Sequence, residues 1–298
     1  MRIGGRQGAA ALLLAIVMLL TLGAGSAGAA QPVGSGLRAR STTESRFFWS
    51  PTLGRLMPYF VYLPPDYGSD SDRRYPVLYM LHGMGGSNSE WRGYGLLEAA
   101  DALMRAREIQ PFLIVLPQGD QGDWVDQANG PQWATYLSHD VVDDVDHAFS
   151  TQPDRDHRAV GGLSMGATGA LVVALRFPDV FGVVGAHTPT PRDWEGEVAY
   201  LGPEMAADYY GDRGRFAQHN PADLFRQLPA VAASLRIWID AGDQDVDWLP
   251  AAEALHEQLD AEGIAHSWHV LAGHHNGDDY WGPHAGQYLR FYDAALGG

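Results

Sequence analysis

Cysteine and lysine are both missing from this 298-residue chain. Without cysteine there is no disulfide, no thiolate nucleophile or metal ligand, and no iron–sulfur cluster. Without lysine there is no Schiff base and no phosphate-loop ammonium. All 20 basic residues are therefore arginine, and against 36 acidic residues the formal charge is 20 − 36 = −16. A balance that acidic argues against nucleic acid or an anionic membrane surface as the main partner, because both need a basic footprint.

What is present begins with a targeting pattern. Arg2 and Arg6 precede an apolar run from Ala9 to Leu22, and Ala27-Gly28-Ala29 offers a small-x-small cleavage site. This is the layout of a signal peptide over residues 1–30, and it predicts export to a secreted or periplasmic location; the alternative is a retained N-terminal anchor. Cleavage would remove two arginines and leave 18 − 36 = −18 on about 268 residues. Residues 31–45, small and polar, read as a flexible leader, and 46–298 as one domain, a length ample for a single large core.

Within that domain apolar strands alternate with helical patterns. Strands are predicted at 58–63, 75–81, 112–116, 158–162, 183–186, 235–241 and 266–271. Helices are predicted at 94–108, 133–149, 165–177, 251–262 and 283–296. This alternation implies a mostly parallel sheet with helices on both faces. The irregular 187–228 stretch is read as an insertion above the sheet.

The strongest local signal is Gly162-Leu163-Ser164-Met165-Gly166, lying between a predicted strand and a predicted helix. A serine exposed on so sharp a turn is a candidate nucleophile, and the flanking positions need glycine because a side chain would strike neighbouring backbone. Its chemistry requires an imidazole base and a carboxylate to orient it, and after an elbow of this kind they follow in the order Ser, Asp or Glu, His. Both occur after later strands: Asp245 in Gly242-Asp243-Gln244-Asp245, with Asp243 in reserve, and His275 in Gly273-His274-His275, with His274 as the alternative. Met165, at the helix start, and Met84, in Leu81-His82-Gly83-Met84-Gly85-Gly86, are candidates to present backbone N–H groups to an oxyanion. Trp124, Trp194, Tyr209 and Tyr210 are candidates for the substrate pocket. No cofactor and no catalytic metal are expected: His274, His275, Asp278, Asp279 and His284 cluster in sequence without helical ligand spacing. An acidic surface loop at 120–126 is a conceivable calcium ligand.

These residues, above all 75–86 with Trp91 and 158–166 with Gly169-Ala170-Leu171, resemble the esterase D-like branch of the α/β-hydrolases. That group includes feruloyl and acetyl-xylan esterases, S-formylglutathione hydrolases and secreted mycolyltransferases, and the resemblance runs from about Phe60 to Tyr292. It implies an α/β-hydrolase fold and a serine esterase acting through an acyl-enzyme. It also implies an acid three residues after a glycine, at Asp245, and a histidine preceding an aromatic pair, here Tyr280-Trp281. Ala167 departs from the family's usual glycine, and the loop between His275 and Trp281 is about one residue longer than the family pattern. The export signal disfavours the cytosolic S-formylglutathione hydrolases. His82-Gly83 and an aspartate acid disfavour the mycolyltransferases. The expectation is a hydrolase of small or carbohydrate-linked esters; the alternatives are an acyltransferase to a sugar or lipid hydroxyl, and a non-catalytic binding protein on the same scaffold.

Overall fold

A computed structural model describes residues 40–297. The predicted signal peptide and most of the predicted leader lie outside the described residues. The eight strands are β1 (Thr42–Ser50), β2 (Arg55–Leu63), β3 (Val77–Leu81), β4 (Leu113–Pro117), β5 (Arg158–Leu163), β6 (Val183–His187), β7 (Arg236–Gly242) and β8 (Ser267–Leu271). They form one sheet in the order β1-β2-β4-β3-β5-β6-β7-β8. The pairings of β1 with β2 and of β2 with β4 are antiparallel, and all the others are parallel.

The inner strands β3 to β6 read as largely apolar runs because both faces of the sheet are covered there, whereas the edge strand β8 is partly exposed. The pleat divides β3 between the two cores: Val77, Tyr79 and Leu81 pack on one side, Leu78 and Met80 on the other. The helix Met165–Arg176 covers the first face, and the helices Leu96–Ala106 and Gly282–Leu296 cover the second. The helix predicted at 133–149 forms with a π-helical turn, Tyr136–Val141, in its middle, and Leu137, Val141 and Val145 are buried as their spacing requires.

Two expectations are corrected. Residues 42–45, read as leader, belong to β1, whose nine residues pair in register with β2 from Thr42↔Leu63 to Ser50↔Arg55. This strand is mostly exposed, so its polar and charged residues hide it from a hydrophobicity pattern. The 187–228 insertion is helical rather than irregular: Trp194–Leu201, Pro203–Tyr210, Arg213–Phe216 and Pro221–Gln227 follow one another, with Pro229–Ala232 just beyond. Each is short and starts on a cap or proline, Asp193, Asp212 and Asn220 accepting backbone N–H bonds. Such helices are too brief for a periodic signal. Among the described residues no helix is long and apolar enough to cross a membrane.

Candidate active site

The carboxyl ends of β3, β5, β7 and β8 run into the segments carrying Met84, Ser164, Asp245 and His275. At the end of β5 the chain turns directly into the helix Met165–Arg176, and Ser164 sits at φ 52°, ψ −118°. That left-handed backbone is costly for any residue with a Cβ and persists because the turn is held on both sides. A Cβ on Gly162 would lie 2.4 Å from the Gly166 carbonyl, and one on Gly166 would lie 2.6 Å from the carbonyl oxygens of both Leu81 and His82. The Ser164 N–H donates to the His187 carbonyl at 3.1 Å, anchoring the turn to β6.

His275 comes from the far side of the sheet. Three strand spacings, about 14 Å, separate β5 from β8, so its loop must fold back across β6 and β7. Gly273, at φ 126°, allows that reversal, and Gly242 lets the two loops nest, since a Cβ there would sit 2.4 Å from the Gly273 carbonyl oxygen. The result is a continuous chain: the Ser164 hydroxyl lies 2.8 Å from His275 Nε2, and His275 Nδ1 lies 2.7 Å from Asp245 Oδ2. Asp245 is buried, with its other oxygen accepting the Trp248 N–H at 3.1 Å. Trp281 packs edge-on against the imidazole at 5.1 Å and donates its own N–H to Thr188.

The residues held in reserve do other things. Asp243 accepts the Gly273 N–H at 2.9 Å and clamps the two loops together. His274 points outward and pairs with Asp279 at 2.6 Å. Met84 and Met165 both line the cavity beside Ser164 and His275, and among the described residues their N–H groups have no hydrogen-bond acceptor. The loop carrying Met84 is pinned by Glu90, which accepts the Gly83 N–H at 2.7 Å, and by His82, whose Nε2 accepts the Gly119 N–H at 2.9 Å. Burial raises the Glu90 carboxyl and lowers the His82 imidazole relative to their ordinary pKa values.

The cavity above Ser164 measures about 230 Å³. Of the four aromatic residues expected in it, only Tyr210 lines it. Trp124 is wholly buried under the His82 ring and donates to the His82 carbonyl; Trp194 packs on Phe216 outside the cavity; and Tyr209 bonds the Gln121 carbonyl. Consecutive left-handed residues, Asp123 at φ 52° and Trp124 at φ 55°, send the carboxylate into the cavity and the indole into the core. The walls that sequence reasoning missed mix apolar and polar residues, the polar ones including Asp123, Arg192, Glu197 and His219. Burial, with Glu197 as the second cause, pushes Asp123 up to about 7, and burial also raises Glu197. Arg192 bonds Glu197 at 3.1 Å and lies over Tyr200 at 3.7 Å and Trp248 at 4.4 Å. Burial lowers His219 to about 4. These residues come from the insertion and from two loops, none of which carries a compact motif.

Fold and site together define the α/β-hydrolase class: a mostly parallel sheet presents a serine at a strand-to-helix turn, with its partners on later strand ends. The likeness extends through the sequence, since residues 50–291 match the family model described as "Putative esterase". The chain belongs to that esterase family. It is 32% identical over 146 residues to an endo-1,4-beta-xylanase/feruloyl esterase of Xylanibacter ruminicola, covering 46% of this chain and 20% of the relative. With an esterase of Mycobacterium tuberculosis it shares 28% identity over 253 residues, 76% of this chain and 53% of that one. The chain thus spans about half or less of the length of these curated relatives. A solved ferulic acid esterase superposes with a TM-score of 0.75 at 23% identity over 86% of this chain and 99% of its own, a likeness of fold.

Proposed function

We propose that the protein is an exported serine esterase that hydrolyses a small or carbohydrate-linked carboxylic ester through an acyl-enzyme. The observation that carries this reading is the unbroken run from Asp245 through His275 to Ser164, with contacts of 2.7 and 2.8 Å. Ser164 Oγ attacks the ester carbonyl while His275 Nε2 takes its proton, and Asp245 holds the imidazole in the tautomer whose Nε2 is free to accept it. The alcohol leaves with the proton from His275. Water, deprotonated by the same nitrogen, then releases the acid and restores Ser164. The N–H groups of Met84 and Met165 receive the oxyanion in both halves, each worth about 3 kcal/mol in the transition state. Family membership, the relatives named as esterases and the placement of the serine in the lining of a cavity all favour this chemistry.

The test is Ser164→Ala. It is expected to abolish turnover of p-nitrophenyl acetate and covalent labelling by a fluorophosphonate, with the thermal transition retained. Turnover at the wild-type rate would overturn the mechanism. The same assay with added alcohols separates the esterase from an acyltransferase, because the latter transfers the acyl group to the alcohol in preference to water. Export is checked by N-terminal sequencing of the extracellular protein, expected to begin near Gln31.

A further inference from the structure

At the amino end of β8, the opposite end of the sheet from the cavity, three metal-ligating side chains converge that the proposed reaction does not use. We propose that His256, Asp260 and His266 bind a divalent transition ion, zinc being the ion that two imidazoles and a carboxylate suit best. His256 and Asp260 stand four residues apart on the helix Leu249–Ala261 and so share one face of it. After Gly263, at φ 69°, the chain reverses and brings His266 back against them, just before β8.

His266 Nε2 lies 2.8 Å from His256 Nδ1, so these two nitrogens face a common point, whereas Asp260 Oδ2 lies 3.6 Å from the other nitrogen of the His256 ring, Nε2, and reaches that point only by turning. One ligand atom from each residue falls within 4.8 Å of the other two, and among the described residues this is the one such group of three. Tetrahedral zinc with bonds of 2.0–2.1 Å spaces its ligand atoms about 3.3 Å apart. The imidazoles need to part by about half an ångström, and the largely exposed Asp260 is free to swing inward.

The surroundings prepare His266, while His256 Nδ1, which donates to it at 2.8 Å, exchanges that hydrogen for the metal on binding. His266 Nδ1 lies 2.8 Å from the Ile264 carbonyl, which can only accept, so that nitrogen carries the hydrogen and Nε2 presents a lone pair. A ring nitrogen donating to a backbone carbonyl is the usual support of a metal-bound histidine. The His256 ring stacks on Trp268 at 5.0 Å with 13° between planes, which fixes its orientation. Oxygen-preferring calcium and magnesium are poorly matched by two imidazoles. A bound ion would join the helix that follows the Asp245 loop to the strand that leads into the His275 loop.

The experiment titrates the chelator-treated full-length protein with zinc against a chromogenic indicator, and with cobalt(II) to read its visible d–d bands. One equivalent is expected to bind at micromolar concentration with the absorption of nitrogen and oxygen ligands in four-coordinate geometry. His256→Ala/His266→Ala is expected to weaken zinc by at least about tenfold and Asp260→Asn by a smaller factor, with p-nitrophenyl acetate turnover unchanged in both without metal. At about 100-fold excess over the wild-type Kd, zinc should raise the wild-type Tm by about 5 °C and the double variant by about half of that or less. Failure of the wild type to bind zinc below about 100 μM, or unchanged affinity in the double variant, overturns the site. If the double variant does not fold, His266→Gln alone carries the comparison, and unchanged affinity there overturns it equally.

Discussion

Replacing Gly166 by alanine isolates how tightly the nucleophile turn is held. The new Cβ would lie 2.6 Å from the carbonyl oxygens of both Leu81 and His82. Carbon and oxygen in contact rest at about 3.3 Å or more, so the overlap is about 0.7 Å against each. Neither oxygen can retreat easily, because Trp91 Nε1 donates to the Leu81 carbonyl at 2.9 Å and Trp124 Nε1 to the His82 carbonyl at 3.2 Å. The start of the helix must move instead, carrying the Met165 N–H and the Ser164 hydroxyl with it. Overpacking of this kind costs about 1–3 kcal/mol of stability, and a displacement approaching 1 Å at the reacting groups lowers the rate by about 10²-fold. The assay is kcat/KM for p-nitrophenyl acetate beside the urea unfolding midpoint, with Gly286→Ala as control. Gly286 lies on the helix Gly282–Leu296, where a Cβ meets nothing closer than the flexible Arg290 side chain at 3.3 Å. That variant should gain about 0.5–1 kcal/mol by helix propensity and keep its rate. Wild-type rate and stability in Gly166→Ala would refute the steric reasoning.

Three further outcomes follow from the same geometry. His275→Ala is expected to lower kcat by about 10⁴-fold or more, whereas His274→Ala, whose ring pairs outward with Asp279, should stay within about twofold; steady-state kinetics of the two purified variants decide this. Asp245→Asn leaves the imidazole without its charged partner and should cost about 10³–10⁴-fold in kcat with little change in KM, measured on the same ester. Asp123 introduces a pH dependence of stability. Its carboxyl ordinarily ionises at 3.8 but in the folded protein at about 7, so between those values the native state holds a proton that the unfolded chain has released. Stability is therefore unpenalised below about pH 4 and falls as pH rises toward 7. The full linkage is at most about 4 kcal/mol. Asp123→Asn should flatten that slope when urea unfolding is compared at pH 5 and pH 8; an unchanged slope would assign the titration elsewhere.

Local steric demands were readable from the residues alone. A turn as tight as that at Ser164 admits only glycine at 162 and 166, so five residues and a change of periodicity announce it. Parallel strands covered on both faces are largely apolar, which makes β3 to β7 legible as strands. The edge strand β1 escaped because one mostly exposed antiparallel partner imposes no such pattern. Side-chain direction escaped for a different reason. Trp124 and Asp123 are adjacent, yet one enters the core and the other the cavity, because both lie in a left-handed turn that no periodicity describes.

The absences set the first boundary, since a chain without cysteine and lysine must build covalent chemistry from other groups, and serine with histidine supplies them. Composition, turn glycines and strand ends thus determined the class of fold and nominated Ser164, Asp245 and His275. Which of two neighbouring aspartates and two neighbouring histidines meet was decided by packing. Ser164 and His275 stand 111 residues apart, and their approach depends on Gly242 and Gly273 nesting and on Asp243 clamping the loops. The cavity walls belong to the same category. Contacts between distant segments are fixed by how the whole chain fills space, whereas a tight turn is fixed by the few residues that make it.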